Sequence, residues 1–360
     1  MGFYNIIEPK YFGEFKCTGS ACPQNCCGRW GRVLWTNEEY ERLVSREMPE
    51  ELREKIGSAF IKEQNARNIN LINSACPFLS ENGLCSLQLT FGEEILSATC
   101  AMYPRAAVFN NSVLTRGCFS SCPEVLRILF NDENALEINL RTVQIRGDTV
   151  EFKAVLCENE ADFAKNPALA FRNELFGLFF DIISEKSAGI QTNLAIGAAA
   201  AKTLSEVNES ELPEALERLS ERLDETNFLE EREFMSNRLA GELFAEIFGE
   251  NLENRDEKRL AELFAGREYF FRNLAKNLLF ELKMPFYLTK RGIFENFLVY
   301  GAAVTLAEFL AAACAVDGSA ELVLERLAEL DRMTAHDKNA AEKILAFLEK
   351  SDFKSTIQAI

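Results

Sequence analysis

Nine of the eleven cysteines fall between Cys17 and Cys122: Cys17, Cys22, Cys26, Cys27, Cys76, Cys85, Cys100, Cys118 and Cys122. The first four read C-x4-C-x3-C-C, followed by C-P-F-L-x5-C, C-x2-Y-P and C-x3-C-P. Thiols gathered this densely either cross-link a chain in an oxidising compartment or hold a soft metal. A chain of 360 residues can bury a full core and needs no disulfides to fold. Its first residues, Met1-Gly2-Phe3-Tyr4-Asn5, lack the basic and apolar regions of a secretory signal. A cytoplasmic location is therefore expected, and with it metal ligands or redox thiols in place of disulfides.

The spacing favours some centres over others. A structural zinc site commonly uses two CxxC pairs, and this chain has none. It has no histidine near the cysteines in sequence, since the single histidine is His336. Irregular spacing with adjacent Cys26 and Cys27 suits a folded-over cluster pocket better than a ribbon or finger. Neighbouring residues point different ways, so only one of that pair is expected to face a given metal. Nine thiols exceed one tetrahedral site, which leaves two sites, or spare and redox-active cysteines. The C-x3-C-x2-C pattern of radical enzymes that split S-adenosylmethionine is absent: Cys22-x3-Cys26 begins it, but Arg29 occupies the third position. Cys157 and Cys314 lie in apolar surroundings and read as inert core.

Other chemistries are excluded. No G-x-G-x-x-G follows a strand pattern, and no Walker loop is present. His336 reads as a solvated residue near a helix start, so no Ser-His-Asp or Cys-His arrangement is expected. Residues 1–122 carry 12 Lys+Arg against 13 Asp+Glu, whereas the remainder carries 27 against 43. That acidic remainder argues against nucleic acid as a partner. It suits a basic or lysine-bearing protein, or simply a soluble helical surface. No uninterrupted run of eighteen apolar residues is present, so no transmembrane helix is expected.

The positioning elements follow from local signals. Residues 1–16 read as an extended lead-in. Gly19, Pro23, Gly28 and Gly31 let the first cysteine loop fold tightly. Thr36-x-x-Glu39 is a capping box and places a helix start at Asn37. A second helix is expected over 49–67. Asn82-Gly83 signals a tight turn that brings Cys76 and Cys85 together. A short helix over 91–99 is expected to end near Cys100, broken by Met102-Tyr103-Pro104. Pro123 suits the first turn of a helix running to about 130. Ile138–Ile145 and Thr149–Val155 read as strands joined at Arg146-Gly147-Asp148.

Beyond residue 165 the apolar period is helical, as in Phe270, Leu274 and Leu278, and in Phe297, Gly301 and Leu306. Similar segments lie near 167–185, 192–207, 211–222, 228–248, 320–332 and 337–350. The expectation is a mainly α protein. It comprises a Cys-rich metal-binding N-terminal region with short hairpins over 1–130, a connecting hairpin over 131–165 and an α-helical domain over 166–360.

Several stretches resemble a known family. Cys76-Pro-Phe-Leu, Asn82-Gly83-Leu-Cys85 and Cys100-x-x-Tyr103-Pro104-Arg105 are similar to the bacterial Cys-rich zinc- or iron-chelating domain. Cys17-Thr-Gly-Ser-Ala-Cys22, Cys26-Cys27-x-x-Trp30, Thr99-Cys100-x-x-Tyr103-Pro104-Arg105 and Ser121-Cys122-Pro123-Glu124-Val125 resemble the flagellin lysine-N-methylase family. The resemblance covers residues 8–130 and extends to the helical remainder only in general character. It implies a cytoplasmic enzyme that methylates lysine side chains of flagellin. It implies S-adenosylmethionine as methyl donor and a [4Fe–4S] cluster held by the nine cysteines, with zinc as the alternative metal. Tyr103 and Arg105, beside Cys100, are the candidates for contacting donor or cluster, with packing as the plainer role. Trp30 and Trp35 read as core. A homo-oligomer is compatible with this reading. The alternatives are a non-enzymatic metal-binding interaction module and a thiol redox or metal-delivery protein.

Overall fold

The computed structural model describes residues 2–29, 33–73, 75–145, 156–157, 160–223, 228, 230–286, 288–337, 339–351 and 353. Trp30 and the expected turn and strand over 146–155 lie outside the described residues. The fold is mainly helical, as expected, but its N-terminal part holds more sheet than short hairpins.

Among the described residues, eight strands form two sheets. They are β1 (Gly2–Pro9), β2 (Leu34–Thr36), β3 (Phe60–Lys62), β4 (Ala66–Ile69), β5 (Arg105–Asn110), β6 (Val113–Cys118), β7 (Ile138–Ile145) and β8 (Leu156–Cys157). The larger sheet runs β7-β1-β6-β5-β8 and the smaller runs β2-β4-β3. The extended lead-in is thus a paired strand. It lies parallel to β6 and antiparallel to β7, with Ile6 opposite Leu114 and Arg141. The expected strand Ile138–Ile145 is present, and its observed partner is β1. The β5–β6 hairpin turns at Asn111 and Ser112, both with positive φ. Asn tolerates this conformation better than most residues.

Sixteen helices complete the described chain. The N-terminal ones are α1 (Tyr11–Glu14), α2 (Asn37–Val44), α3 (Glu50–Ala59), α4 (Ser86–Phe91), α5 (Ala98–Met102) and α6 (Pro123–Asn131). The remainder are α7 (Glu160–Lys165), α8 (Arg172–Ser184), α9 (Ile190–Ser205), α10 (Leu212–Leu223), α11 (Asn237–Phe248), α12 (Glu257–Leu263), α13 (Phe270–Glu281), α14 (Ile293–Ala315), α15 (Ala320–Ala335) and α16 (Ala340–Lys350).

The Thr36 capping box forms as its spacing predicts: Glu39 N–H donates to Thr36 Oγ1, and Thr36 N–H donates to Glu39 Oε2. Pro123 occupies the first turn of α6. The expected helix over 49–67 is shorter, because Phe60 onward pairs as β3 and β4. The β-branched and aromatic residues there find cross-strand partners. The expected helix over 91–99 is replaced by α4, a one-turn 3₁₀ segment at Glu93–Ile95 and α5. Gly92, with φ +87°, ends the first of these.

Two main cores result. The small one gathers Val33, Trp35, Leu43, Ile56, Ile69, Cys76, Phe78, Leu87 and Ile95 under the cysteine loops. The large one joins Tyr11, Phe12, Phe15, Cys118, Cys122 and α6 to the C-terminal helices. Helix α14 is its central rod. A Cβ on Gly197 of α9 would lie 2.3 Å from the Phe297 ring, and one on Gly301 would lie 2.4 Å from the Phe234 ring. Missing side chains thus let two phenylalanines seat against helix backbone. Helix α14 is also long and apolar enough to cross a membrane by length and composition, although the sequence pattern suggested no such span. Two-thirds of its most apolar stretch, 67%, is buried inside this core.

Candidate thiol centre

The cysteine loops are tied together by backbone and side-chain hydrogen bonds. Asn25 Oδ1 accepts from Cys27 N–H at 2.9 Å and caps the 3₁₀ turn Cys26–Gly28. Its Nδ2 donates to Gly83 O at 2.7 Å. The expected turn is present: Gly83 takes φ +77°, and Leu79 bridges Cys85. Cys76 N–H donates to Cys27 O at 2.7 Å, joining the second loop to the first. Cys100 lies in α5, which Ser97 caps: Ser97 Oγ accepts from Cys100 N–H at 3.3 Å.

Helix α15 anchors the first and the last of the cysteine loops. Gln24 Nε2 donates to Glu325 O at 3.0 Å, and Arg29 pairs with Glu329 at 2.6 Å. Arg332 donates to Ser121 O at 2.9 Å, fastening the Cys118–Cys122 loop to the same helix.

The ten cysteines with described side chains are free thiols. Cys27, Cys76, Cys85 and Cys100 all belong to the small core or pack against it. Cys118 and Cys122 belong to the large core. Cys17 is exposed, Cys22 and Cys26 are half-buried, and Gly19 N–H donates to Cys17 Sγ at 3.4 Å. The thiols of Cys26 and Cys85 lie near enough to raise the pKa of both Cys76 and Cys100. Cys17 and Cys22 act likewise on Cys122.

Burial pushes Cys76 up to about 11 and Cys100, Cys118 and Cys122 up to about 12. Cys26 and Cys27 hydrogen-bond to each other. That contact lowers the Cys26 thiol to about 7 and raises the Cys27 thiol. Among the described residues no three His, Cys, Asp or Glu side chains are arranged to hold a metal ion. The donor set nevertheless suits a soft metal in kind and number, with thiols converging from separate loops. Closing them on one centre requires side-chain rotation and loss of thiol protons, which metal binding itself drives.

Tyr103 and Arg105 occupy different surroundings. Tyr103 Oη donates to Ser121 Oγ at 3.2 Å, and burial holds its phenol protonated well above the usual range. Arg105 is the cross-strand partner of Cys118, whose pKa its charge lowers, and its guanidinium lies 5.3 Å from the centre of the Phe15 ring. Trp35 is core, edge-on to Phe60 at 5.2 Å. Cys314 is half-buried on α14.

His336 departs from the sequence expectation. It follows the C-terminal end of α15, and its Nε2 lies 3.0 Å from Ser121 Oγ. Its ring packs on Phe119 at 4.8 Å and near Tyr103 at 6.4 Å. The histidine absent from the cysteine region in sequence is therefore beside that region in space.

Beneath Ser121 runs a buried polar network that the apolar helical period concealed. Asn277 Nδ2 donates to Cys118 O and Ser120 Oγ, each at 2.9 Å. Tyr11 Oη accepts from Cys118 N–H at 3.0 Å and donates to Asn277 Oδ1. Glu281 accepts from Ser120 N–H and faces Asp331; burial and that carboxylate hold it protonated far above the usual range. Asn273 caps the end of α6 by donating to Asp132 O at 3.0 Å. Asn273, Asn277 and Glu281 recur every fourth residue on α13, a polar stripe visible in the sequence.

The chain is 30% identical over 142 residues to a protein named Lysine-N-methylase from Salmonella typhimurium, and equally to one from Salmonella choleraesuis. The match covers 38% of this chain and 35% of those proteins, so the chain spans about a third of their length. It is also 30% identical over 137 residues to the flagellar biosynthetic protein FliU of Salmonella muenchen, covering 37% of this chain and 81% of that protein. No family model and no solved structure matches. With four-fifths of the flagellar protein covered, the chain belongs to the family of the flagellar biosynthetic protein FliU.

Proposed function

We propose that the protein is a cytoplasmic protein-lysine N-methyltransferase acting on flagellin, with S-adenosylmethionine as donor and a thiolate-held [4Fe–4S] cluster. One observation carries the reading: the thiols of Cys26 and Cys85 lie near enough to act on both Cys76 and Cys100, from separate segments of a chain whose relatives include proteins named Lysine-N-methylase. Cys26, Cys76, Cys85 and Cys100 are the first candidates to hold the cluster, with Cys17, Cys22, Cys27, Cys118 and Cys122 around them. Held by all four thiolates, a cluster would supply electron transfer or hold the fold; held by three of them, it would supply an iron able to bind the donor's amino and carboxylate groups. Tyr103 and Arg105 act in this reading by fixing Ser121 and the Cys118 strand end.

Transfer of labelled methyl groups from S-adenosylmethionine to flagellin tests the activity. Label on flagellin lysines, lost in Cys76→Ser or Cys100→Ser, is the expected result; no transfer to any flagellin sinks it. A second reading has one specific support. The Cys26–Cys27 contact, with one thiol lowered, is the environment of a redox thiol. Reversible oxidation of that pair without metal would favour a thiol redox protein. Stoichiometric zinc without donor binding would favour a structural interaction module.

A further inference from the structure

A lysine ammonium has no lone pair, so a methylase must first remove a proton. An acid–base group close to the thiols and open to a protein substrate is therefore needed. Acidic side chains are poor candidates there. Glu281 is 1% exposed and Asp331 is 7% exposed, and Glu281 is already protonated. Tyr103 is held as a phenol.

His336 meets the requirements. It is exposed, whereas its anchor Ser121 is fully buried. Ser121 is the chain neighbour of Cys122, so one hydrogen bond links the imidazole to the thiol loop. Tyr103 holds the same Ser121 hydroxyl, and Phe119 backs the ring. The charged groups acting on it are Asp331 and Arg332 of α15, of opposite sign. Although part of the residue is open to solvent, partial desolvation of the ring draws its pKa below the ordinary imidazole value.

We infer that His336 is the base that takes the proton from the substrate lysine, with Ser121 and Tyr103 positioning its ring; this rests on the methylase reading above. The ammonium N–H bond breaks and its proton passes to the imidazole. The freed nitrogen pair then forms the new N–C bond. The donor's C–S bond breaks, its electron pair stays on sulfur, and a thioether and a methylated ammonium leave. The imidazolium returns its proton to solvent.

The test is the pH dependence of methyl transfer to flagellin in wild type, His336→Gln and His336→Gly. A fall of about 10²-fold or more is expected in both variants, with loss of the acid limb of the profile. Free imidazole should restore the His336→Gly rate, which a structural role does not predict. Because the chain has one histidine, a single labelled resonance reports its titration in the wild-type protein. That titration should coincide with the acid limb, a check that needs no variant to fold. An active wild type whose His336→Gln variant keeps its rate and profile, or a histidine titrating away from the limb, overturns the inference alone. An inactive wild type overturns it together with the methylase reading.

Discussion

Tyr11 and Asn277, 266 residues apart in the chain, meet side chain to side chain at the seam between the large sheet and the helical layer. Asn277 also holds Cys118 O and Ser120 Oγ, so this pair fixes the strand end at Cys118 and the start of the loop to Cys122. Asn277→Ala would leave a buried carbonyl, hydroxyl and phenol short of partners. The expected cost is roughly 2–4 kcal/mol in chemical denaturation. Tyr11→Phe should cost about 1–2 kcal/mol, and the double variant less than the sum, because the two share one network. Additive losses would show that the network is not a unit.

Metal content separates the cysteines. Protein purified without oxygen should contain iron and acid-labile sulfide in near-equal amounts. Cys26→Ser, Cys76→Ser and Cys100→Ser should each lose most of it. Cys314→Ser, on the core helix α14, should keep it. Retention in all three variants would remove these thiols from the ligand set, whatever metal is found.

Glu39 joins two elements of the small core. One carboxylate oxygen closes the capping box of α2, and the other accepts from Ala98 N–H at 2.8 Å, at the start of the helix carrying Cys100. Losing the Thr36 hydroxyl alone removes a cap, a cost of about 1 kcal/mol. Glu39 is itself only 5% exposed, and Glu39→Ala removes the cap and orphans Ala98 N–H. It should therefore cost about 2–3 kcal/mol and lower metal content, where Thr36→Ala should not. Equal losses in the two variants would argue against a link between α2 and Cys100.

What could be read beforehand followed from how local each signal is. The Thr36 box, the Asn82-Gly83 turn, Pro123, the helices α8 to α11 and the helices α13 to α16 rest on residues within one or two turns of each other. The pairing of β1 with β6 depends on chain more than a hundred residues away, and no short pattern specifies it. The closeness of Cys76 to Cys85 was suggested by the Asn82-Gly83 turn between them. The approach of His336 to Ser121, across 215 residues, was not, because it depends on how α15 packs. The Asn273-Asn277-Glu281 stripe was present at a helical period. Polar residues recurring on an otherwise apolar helix are usually solvent-facing, and here they are buried because Tyr11 and the Ser120 loop satisfy them.

The last prediction concerns pH. Glu308 of α14 is half-buried beside Gln191 of α9, whose Nε2 donates to its carboxylate at 2.6 Å and to Thr305 Oγ1 at 3.1 Å. The same Gln191 accepts from Met235 N–H, so one side chain joins α9, α14 and the segment before α11. Burial raises Glu308 to about 7, against 4.5 for the free group, and the Gln191 bond only partly offsets it. The folded state therefore holds a proton that the unfolded state has lost between those values. Stability contributed by the neutral carboxyl is full below 4.5 and is lost as pH rises towards 7, by at most about 3 kcal/mol. Glu308→Gln keeps the neutral form at every pH. Its stability relative to wild type should rise between pH 5 and 7.5 in parallel denaturation series. A constant difference across that range would mean that the carboxylate ionises without cost, through water reaching it between α9 and α14.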